Sequence, residues 1–207
     1  MSKPNAFLIL CAALLLVSCG GGGRRGDMPP IPAGLEMLCG DPALAGERLD
    51  SFTESNSCGI RNPVRVHYVA GVRLNEKPTL NCKAATALAD WVVETAKPNF
   101  ARSGPSLAEL RVFSSYACRN RNSQAGGKVS EHAVGNAIDI GAFKLTSGET
   151  VSVLQNYRSG KYSPVLHRIY KSACGTFGTT LSPDADRFHQ DHFHFDVKFY
   201  GRSTYCR

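Results

Sequence analysis

The stretch His189-Gln190-Asp191-His192-Phe193-His194-Phe195-Asp196-Val197 decides how the chain is read. It alternates, and alternate side chains of a β-strand face opposite sides of a sheet. Phe193, Phe195 and Val197 then form an apolar face suited to a core, while His192, His194 and Asp196 share the other. Such a strand presents two imidazoles and a carboxylate from a rigid element, as a metal site requires.

Upstream lies Ser130-Glu131-His132-Ala133-Val134-Gly135-Asn136-Ala137-Ile138-Asp139-Ile140, in which Asp139 stands between two isoleucines of an expected strand. A carboxylate there needs a cation, hydrogen-bond donors or a metal, because burying it unpaired is expensive. Pairing with an arginine is the simpler explanation for Asp139 taken alone. The two stretches together hold four of the chain's six histidines, however. An H-x-H pair and a separate His132/Asp139 pair let two neutral imidazoles and one carboxylate fill three corners of a tetrahedron. The fourth corner stays open to water, which is the catalytic and not the structural arrangement for zinc. His67 and His167, each isolated, are read as structural.

Around these stretches the periodicity is mixed. Residues 64–70, 110–117, 137–143 and 192–200 read as strands. Residues 80–97 carry Leu80, Ala84, Leu88, Trp91 and Val92 at helical spacing, with Pro98 expected to stop the helix, and residues 162–173 read as a second helix ahead of Gly175. Strands outside a βαβ rhythm imply an α+β fold, with a mainly antiparallel central sheet and helices packed on one side.

The 207 residues suffice for one domain. Lys3 followed by an apolar run over residues 6–17 fits an export signal, too short to span a bilayer comfortably. Leu16-Val17-Ser18-Cys19-Gly20 resembles a bacterial lipobox. That resemblance implies a signal peptide over 1–18, an acylated Cys19 as membrane anchor, and, with Gly20 following, the outer membrane as destination. Residues 19–37, rich in Gly and Pro, read as a tether, and 38–207 as the globular unit. Setting Cys11 and Cys19 aside leaves Cys39, Cys58, Cys82, Cys118, Cys174 and Cys206. This even set in an oxidising compartment implies three disulfides of open pairing. The net charge of +7 suits an anionic envelope polymer; with no basic run longer than Arg24-Arg25, nucleic acid is not expected as a partner.

SEHAVGNAID followed by DHFHFD resembles the zinc-peptidase superfamily of lysostaphin-type, D-alanyl-D-alanine-cleaving and hedgehog-like domains. More narrowly, these motifs with YACR at residues 116–119, ACGTFG at 173–178 and the closing Tyr205-Cys206-Arg207 resemble the bacterial extensin-like C-terminal family. The resemblance implies a hedgehog- or D,D-peptidase-like fold and one zinc ion on His132, Asp139 and His194. It further implies a proton-transfer group nearby. His192 is the first choice and Asp191 the second, because Asp191 stands where the D,D-cleaving branch has a glutamate. Arg119 is matched to an arginine that meets substrate or the developing oxyanion; a salt bridge to a neighbouring acid is its plainer role.

The function expected on these grounds is zinc-dependent hydrolysis of stem or cross-link peptides of peptidoglycan, D,D or L,D, on the periplasmic side of the envelope. The rival is a catalytically inactive, zinc-stabilised wall-binding module on the same scaffold.

Overall fold

A computed structural model describes residues 28–207. The expected signal segment, Cys19 and the first part of the tether lie outside the described residues. In chain order the elements are β1 Glu36–Leu38, β2 Asp41–Arg48, β3 Phe52–Ser55, β4 Cys58–Ile60, β5 Val64–Val69, β6 Val72–Leu74 and β7 Thr79–Leu80. Helix α1 Cys82–Trp91 follows, then a π turn Val92–Ala96, α2 Lys97–Arg102 and β8 Leu107–Ser114. The chain continues with a 3₁₀ turn Glu131–Val134, β9 Ala137–Leu145, β10 Thr150–Ser152, α3 Val153–Asn156 and α4 Ser163–Ala173. It closes with β11 Thr179–Leu181, β12 Phe193–Asp196 and β13 Tyr205–Cys206.

Among the described residues, 11 strands form one sheet in the order β1-β2-β5-β6-β8-β9-β12-β11-β13, with β10 on β9 and β7 on β5; β3 and β4 pair separately. All its pairings are antiparallel except β6 with β8 and β11 with β13. The fold is therefore an antiparallel-dominated mixed sheet with a few helices, as the absence of βαβ rhythm implied.

The alternation in β12 resolves as expected. Phe193 and Phe195 are fully buried. Phe195 packs between Phe177 at 4.9 Å and Trp91 of α1 at 5.1 Å between ring centroids. Trp91 donates its indole N–H to the Ile169 carbonyl at 2.8 Å, which satisfies the one polar atom it carries into the core.

Several boundaries differ from those the sequence suggests. Helical structure does not stop at Pro98. The π turn Val92–Ala96 intervenes, and the proline falls in the first turn of α2, where its missing N–H leaves no hydrogen bond broken. The strand expected over 192–200 runs only from Phe193 to Asp196, where the Asp196 carboxylate accepts the Lys198 backbone N–H at 2.8 Å and turns the chain out of the ladder. Strand β8 begins at Leu107 and leaves the sheet after Ser114, before Tyr116 and Ala117. The sheet already starts at Glu36, inside the stretch read as tether.

Cys39–Cys82, Cys58–Cys118 and Cys174–Cys206 form three disulfides. The second ties the β3–β4 hairpin to the segment leaving β8, and the third fastens the C-terminal segment beside β11. Between β8 and β9 the register shifts twice within a few residues: Arg111 pairs Ala142 and Val112 pairs Ile140, skipping Gly141, whereas Ser114 pairs Asp139, skipping Phe113.

Candidate metal centre

Asp139 of β9 and His194 of β12 are direct partners in the antiparallel ladder. Both point away from the Phe193/Phe195 face. His132 arrives from the 3₁₀ turn, which Ser130 caps through its side chain and Gly135 ends in the left-handed region at φ 67°. A Cβ at Gly135 would also stand 2.3 Å from Ile60 Cδ1 and 2.9 Å from the Asn81 nitrogen, so glycine is required on two counts.

The three side chains offer donor atoms in a compact triangle. His132 Nε2 lies 3.2 Å from His194 Nδ1 and 3.2 Å from Asp139 Oδ2; His194 Nδ1 lies 2.8 Å from Asp139 Oδ1. Ligands about 2.0 Å from a tetrahedral ion are separated by about 3.3 Å, so separations of this size suit three side chains sharing one ion, with Asp139 offering one of its two oxygens. The donor set could hold a metal ion.

Each imidazole is oriented from behind. His132 Nδ1 is 2.5 Å from the Ser115 carbonyl, and His194 Nε2 is 3.0 Å from Asp196 Oδ2. A carbonyl only accepts, so His132 donates from Nδ1 and keeps a lone pair on Nε2. With the Asp196 carboxylate ionised, His194 donates from Nε2 and keeps its lone pair on Nδ1. Both lone pairs face the triangle. Without a metal the cluster behaves as an ion pair. Burial disfavours the charged form of Asp139, but hydrogen bonds and charge from His132 and His194 outweigh it and hold the carboxyl well below the usual range. Burial likewise opposes protonation of His194, yet Asp139 and Asp196 raise its pKa to about 9.

Two more imidazoles stand alongside, each tied to a carboxylate. His192 Nδ1 meets Asp191 Oδ1 at 2.7 Å, and its Nε2 approaches Asp139 Oδ1 to 3.8 Å. His189 is buried, with Nδ1 on Asp186 Oδ1 at 2.7 Å and its ring 5.2 Å from that of His192. Burial lowers the His189 pKa more than Asp186 raises it. His132, Asp139, His189, His192, His194 and Arg119 line one cavity of about 550 Å³; Asp191 is not in its wall.

Arg119 is half-buried in that wall, and its side chain makes no ion pair or hydrogen bond among the described residues. The salt bridge that would be its plainer role is absent among them. Arg121, by contrast, is 3.3 Å from the Tyr200 hydroxyl and 3.6 Å from Glu131. Glu131 accepts from Asn136 Nδ2 at 2.7 Å and so braces the loop behind His132. His67 lies 3.0 Å from Glu47 and His167 stacks on Tyr157 at 4.2 Å.

Sequence patterns assign no role to Asp186 or the Ser115 carbonyl, and they do not show that Asp196 holds the His194 ring from behind. Asp196 is visible as the third polar residue on the His192/His194 face. Asp186 and the carbonyl give no signal, because both reach the site through loops whose path local patterns do not encode.

No curated protein and no solved structure matches the chain significantly. The family model described as extensin-like protein C-terminus matches residues 40–207, which include every side chain of this site. The chain belongs to the extensin-like C-terminal family.

Proposed function

We propose that this domain is a zinc-dependent peptidase that hydrolyses the peptide part of peptidoglycan. One observation carries the proposal: two imidazole nitrogens 3.2 Å apart, each within 3.2 Å of one oxygen of the same carboxylate, line a cavity beside a further imidazole whose Nε2 has no hydrogen bond among the described residues. Two imidazoles and one carboxylate with a free fourth corner suit zinc in a catalytic setting. The same H-x₆-D and H-x-H motifs support a place in the zinc-peptidase superfamily, and Trp91 of α1 resting on Phe195 of β12 supports the layering of helix on sheet known there.

When bound, the ion supplies Lewis acidity, which acidifies water and polarises a carbonyl. His192 then holds the proton: Asp191 fixes its Nδ1, so Nε2 is the basic atom and faces the triangle. Asp191 acts through His192, since its carboxylate is occupied there and lies outside the cavity wall. Arg119 presents to the cavity a positive charge with no ion pair among the described residues, suited to an oxygen that gains negative charge. Asp196 and the Ser115 carbonyl keep the ligand imidazoles in the required tautomers.

The envelope setting of this proposal rests on the lipobox-like segment with Cys19, the tether and the net charge of +7. Peptidoglycan is the anionic, peptide-bearing polymer within reach of such an anchor. To test it, zinc-loaded protein is incubated with purified sacculi and the muropeptides are separated by mass spectrometry. New fragments that vanish in a His132→Ala variant are expected; an unchanged profile sinks the enzymatic reading.

The binding-module reading retains one observation in its favour. Asp191, in the place of the relatives' glutamate, is tied to His192 and half exposed, so it does not itself reach the cavity. Sacculus binding without cleavage is its signature in the same experiment.

A further inference from the structure

The β3–β4 hairpin pairs only with itself among the described residues and stands outside the large sheet. A lone two-stranded hairpin is marginally stable, so it draws support from what it touches. It touches the segment leaving β8. The Phe52 ring meets the Tyr116 ring edge-on at 4.8 Å, with 89° between the planes, and the Tyr116 hydroxyl donates to Glu54 at 2.8 Å. The Cys58–Cys118 disulfide fastens the same segment two residues further on. Both rings are half-buried, and neither belongs to the hydrophobic core.

The same segment holds His132. The two stretches run antiparallel, with a bridge between Asn120 and Val129. The His132 ring donates from Nδ1 to the Ser115 carbonyl at 2.5 Å. The Ala117 N–H donates to the His132 carbonyl at 3.4 Å, and the Ser130 N–H to the Arg119 carbonyl at 3.1 Å. Residue 132 is therefore gripped by ring and by backbone from residues 115 and 117, while the hairpin holds residues 116 and 118, which alternate with them. The Ser115 carbonyl lies in the rigid peptide plane that ends at the Tyr116 Cα, so whatever fixes Tyr116 fixes that acceptor. Ile60 of β4 closes on Gly135 at the end of the turn, where it leaves no room for a Cβ.

We propose that Phe52 and Tyr116 are positioning residues for the metal centre: by clamping Tyr116, the hairpin fixes the Ser115 carbonyl and, through it, the His132 ring. This rests on the metal-binding reading of the site and not on peptide cleavage. The disulfide alone does not set the carbonyl. It holds the chain at Cys118, and the soft backbone angles of Tyr116 and Ala117 lie between. The ring pair acts on Tyr116 itself.

The experiment uses the full chain with its disulfides formed. Zinc affinity is read by competition with a chromophoric chelator, and the metal-free melting temperature alongside. Phe52→Ala and Tyr116→Ala are each expected to weaken zinc binding about tenfold, the low end for groups that orient a ligand imidazole. Tyr116→Phe keeps the ring pair and is expected to bind zinc as wild type does. The cobalt-substituted protein should show an altered d–d spectrum in the two alanine variants and the wild-type spectrum in Tyr116→Phe. Phe52→Leu, which keeps apolar bulk without the ring edge, replaces Phe52→Ala should that variant not fold, with a smaller loss expected. Wild-type affinity and spectrum in both alanine variants, with only the melting temperature lowered, overturns the clamp and leaves the hairpin an appendage tied by its disulfide. Absence of cleavage leaves these readouts untouched. If wild type takes up no zinc, the metal reading fails separately, and the hydrogen-bonded His132 Nδ1 proton decides the clamp by NMR of the metal-free protein. A downfield resonance kept in wild type and Tyr116→Phe and lost in both alanine variants supports the clamp; its absence from wild type or its presence in all four proteins refutes it.

Discussion

His132 Nε2 and His194 Nδ1 meet at 3.2 Å although 62 positions separate them in the chain. Two devices bring them together. The β9–β12 ladder sets His194 opposite Asp139, and the turn ended by Gly135 folds His132 back over that pair. The distance between the imidazoles then depends on what holds each ring from behind.

Asp196 is the holder for His194, at 3.0 Å from Nε2. Asp196→Ala is expected to weaken zinc binding by about 10- to 100-fold, and Asp196→Asn by less, because the amide oxygen still accepts a hydrogen bond. Competition against a chromophoric chelator measures both. Wild-type affinity in the alanine variant would show that the ring is held without Asp196.

The metal-free cluster gives the protein a pH signature. The Asp139 pKa is depressed, so its contribution to stability is present above the ordinary carboxylate range and is lost as pH falls through the folded value. His194 is raised from 6.5 to about 9, so its contribution is complete below pH 6.5 and is lost as pH rises through about 9. Metal-free protein should therefore lose melting temperature between pH 6.5 and 9. The increment added by zinc should grow over the same window, because the ion competes with the proton on His194. Parallel melting curves at several pH values, with and without zinc, decide it; a metal-free curve flat across that window contradicts the ion-pair account.

The proton-transfer roles separate by mutation. His192→Ala removes the group that faces the triangle, and a loss in kcat of about 10² to 10⁴ is expected. Asp191→Asn only loosens the orientation of that ring, so its loss is smaller at unchanged zinc content. The reverse order of severity in steady-state kinetics would make Asp191 the base.

Much of this site is legible in the sequence because Asp139 and His194 sit in strands and His132 in a short capped turn. Strand alternation alone places Phe193 and Phe195 in the core and His194 opposite them, and the isoleucines around Asp139 mark a buried strand. What fails to show is set by tertiary path. The Pro98 signal is overridden by a π turn just upstream, and residues 197–200 leave the ladder because Asp196 caps it. The register shifts that aim Phe113 depend on two strands at once, so no single stretch encodes them. Disulfide pairing is hidden for the same reason.

The Cys174–Cys206 bridge closes a segment of 32 positions and carries β13 beside β11. Tyr205, adjacent to the bridge, lines the cavity. Cys174→Ser with Cys206→Ser should cost about 3–4 kcal/mol by loop-closure entropy. Urea unfolding under oxidising conditions reads the cost, and an unchanged midpoint would mean that the C-terminal segment is held by its ladder hydrogen bonds alone.

Gly141 and Phe113 should be coupled in stability with a definite sign. Gly141 is not among the residues of positive φ, so its conformation does not require glycine. Alanine in a strand interior is ordinarily favoured over glycine by about 0.5–1 kcal/mol. The obstacle is the ring, which a new Cβ would meet at 2.1 Å. Gly141→Ala alone should therefore destabilise by about 1–3 kcal/mol, as overpacking does. In a Phe113→Ala background the same change meets no ring and should be neutral or stabilising. A double-mutant cycle in urea measures the difference, and additive effects of the two substitutions would mean that the ring yields to the methyl group and is not held over the strand.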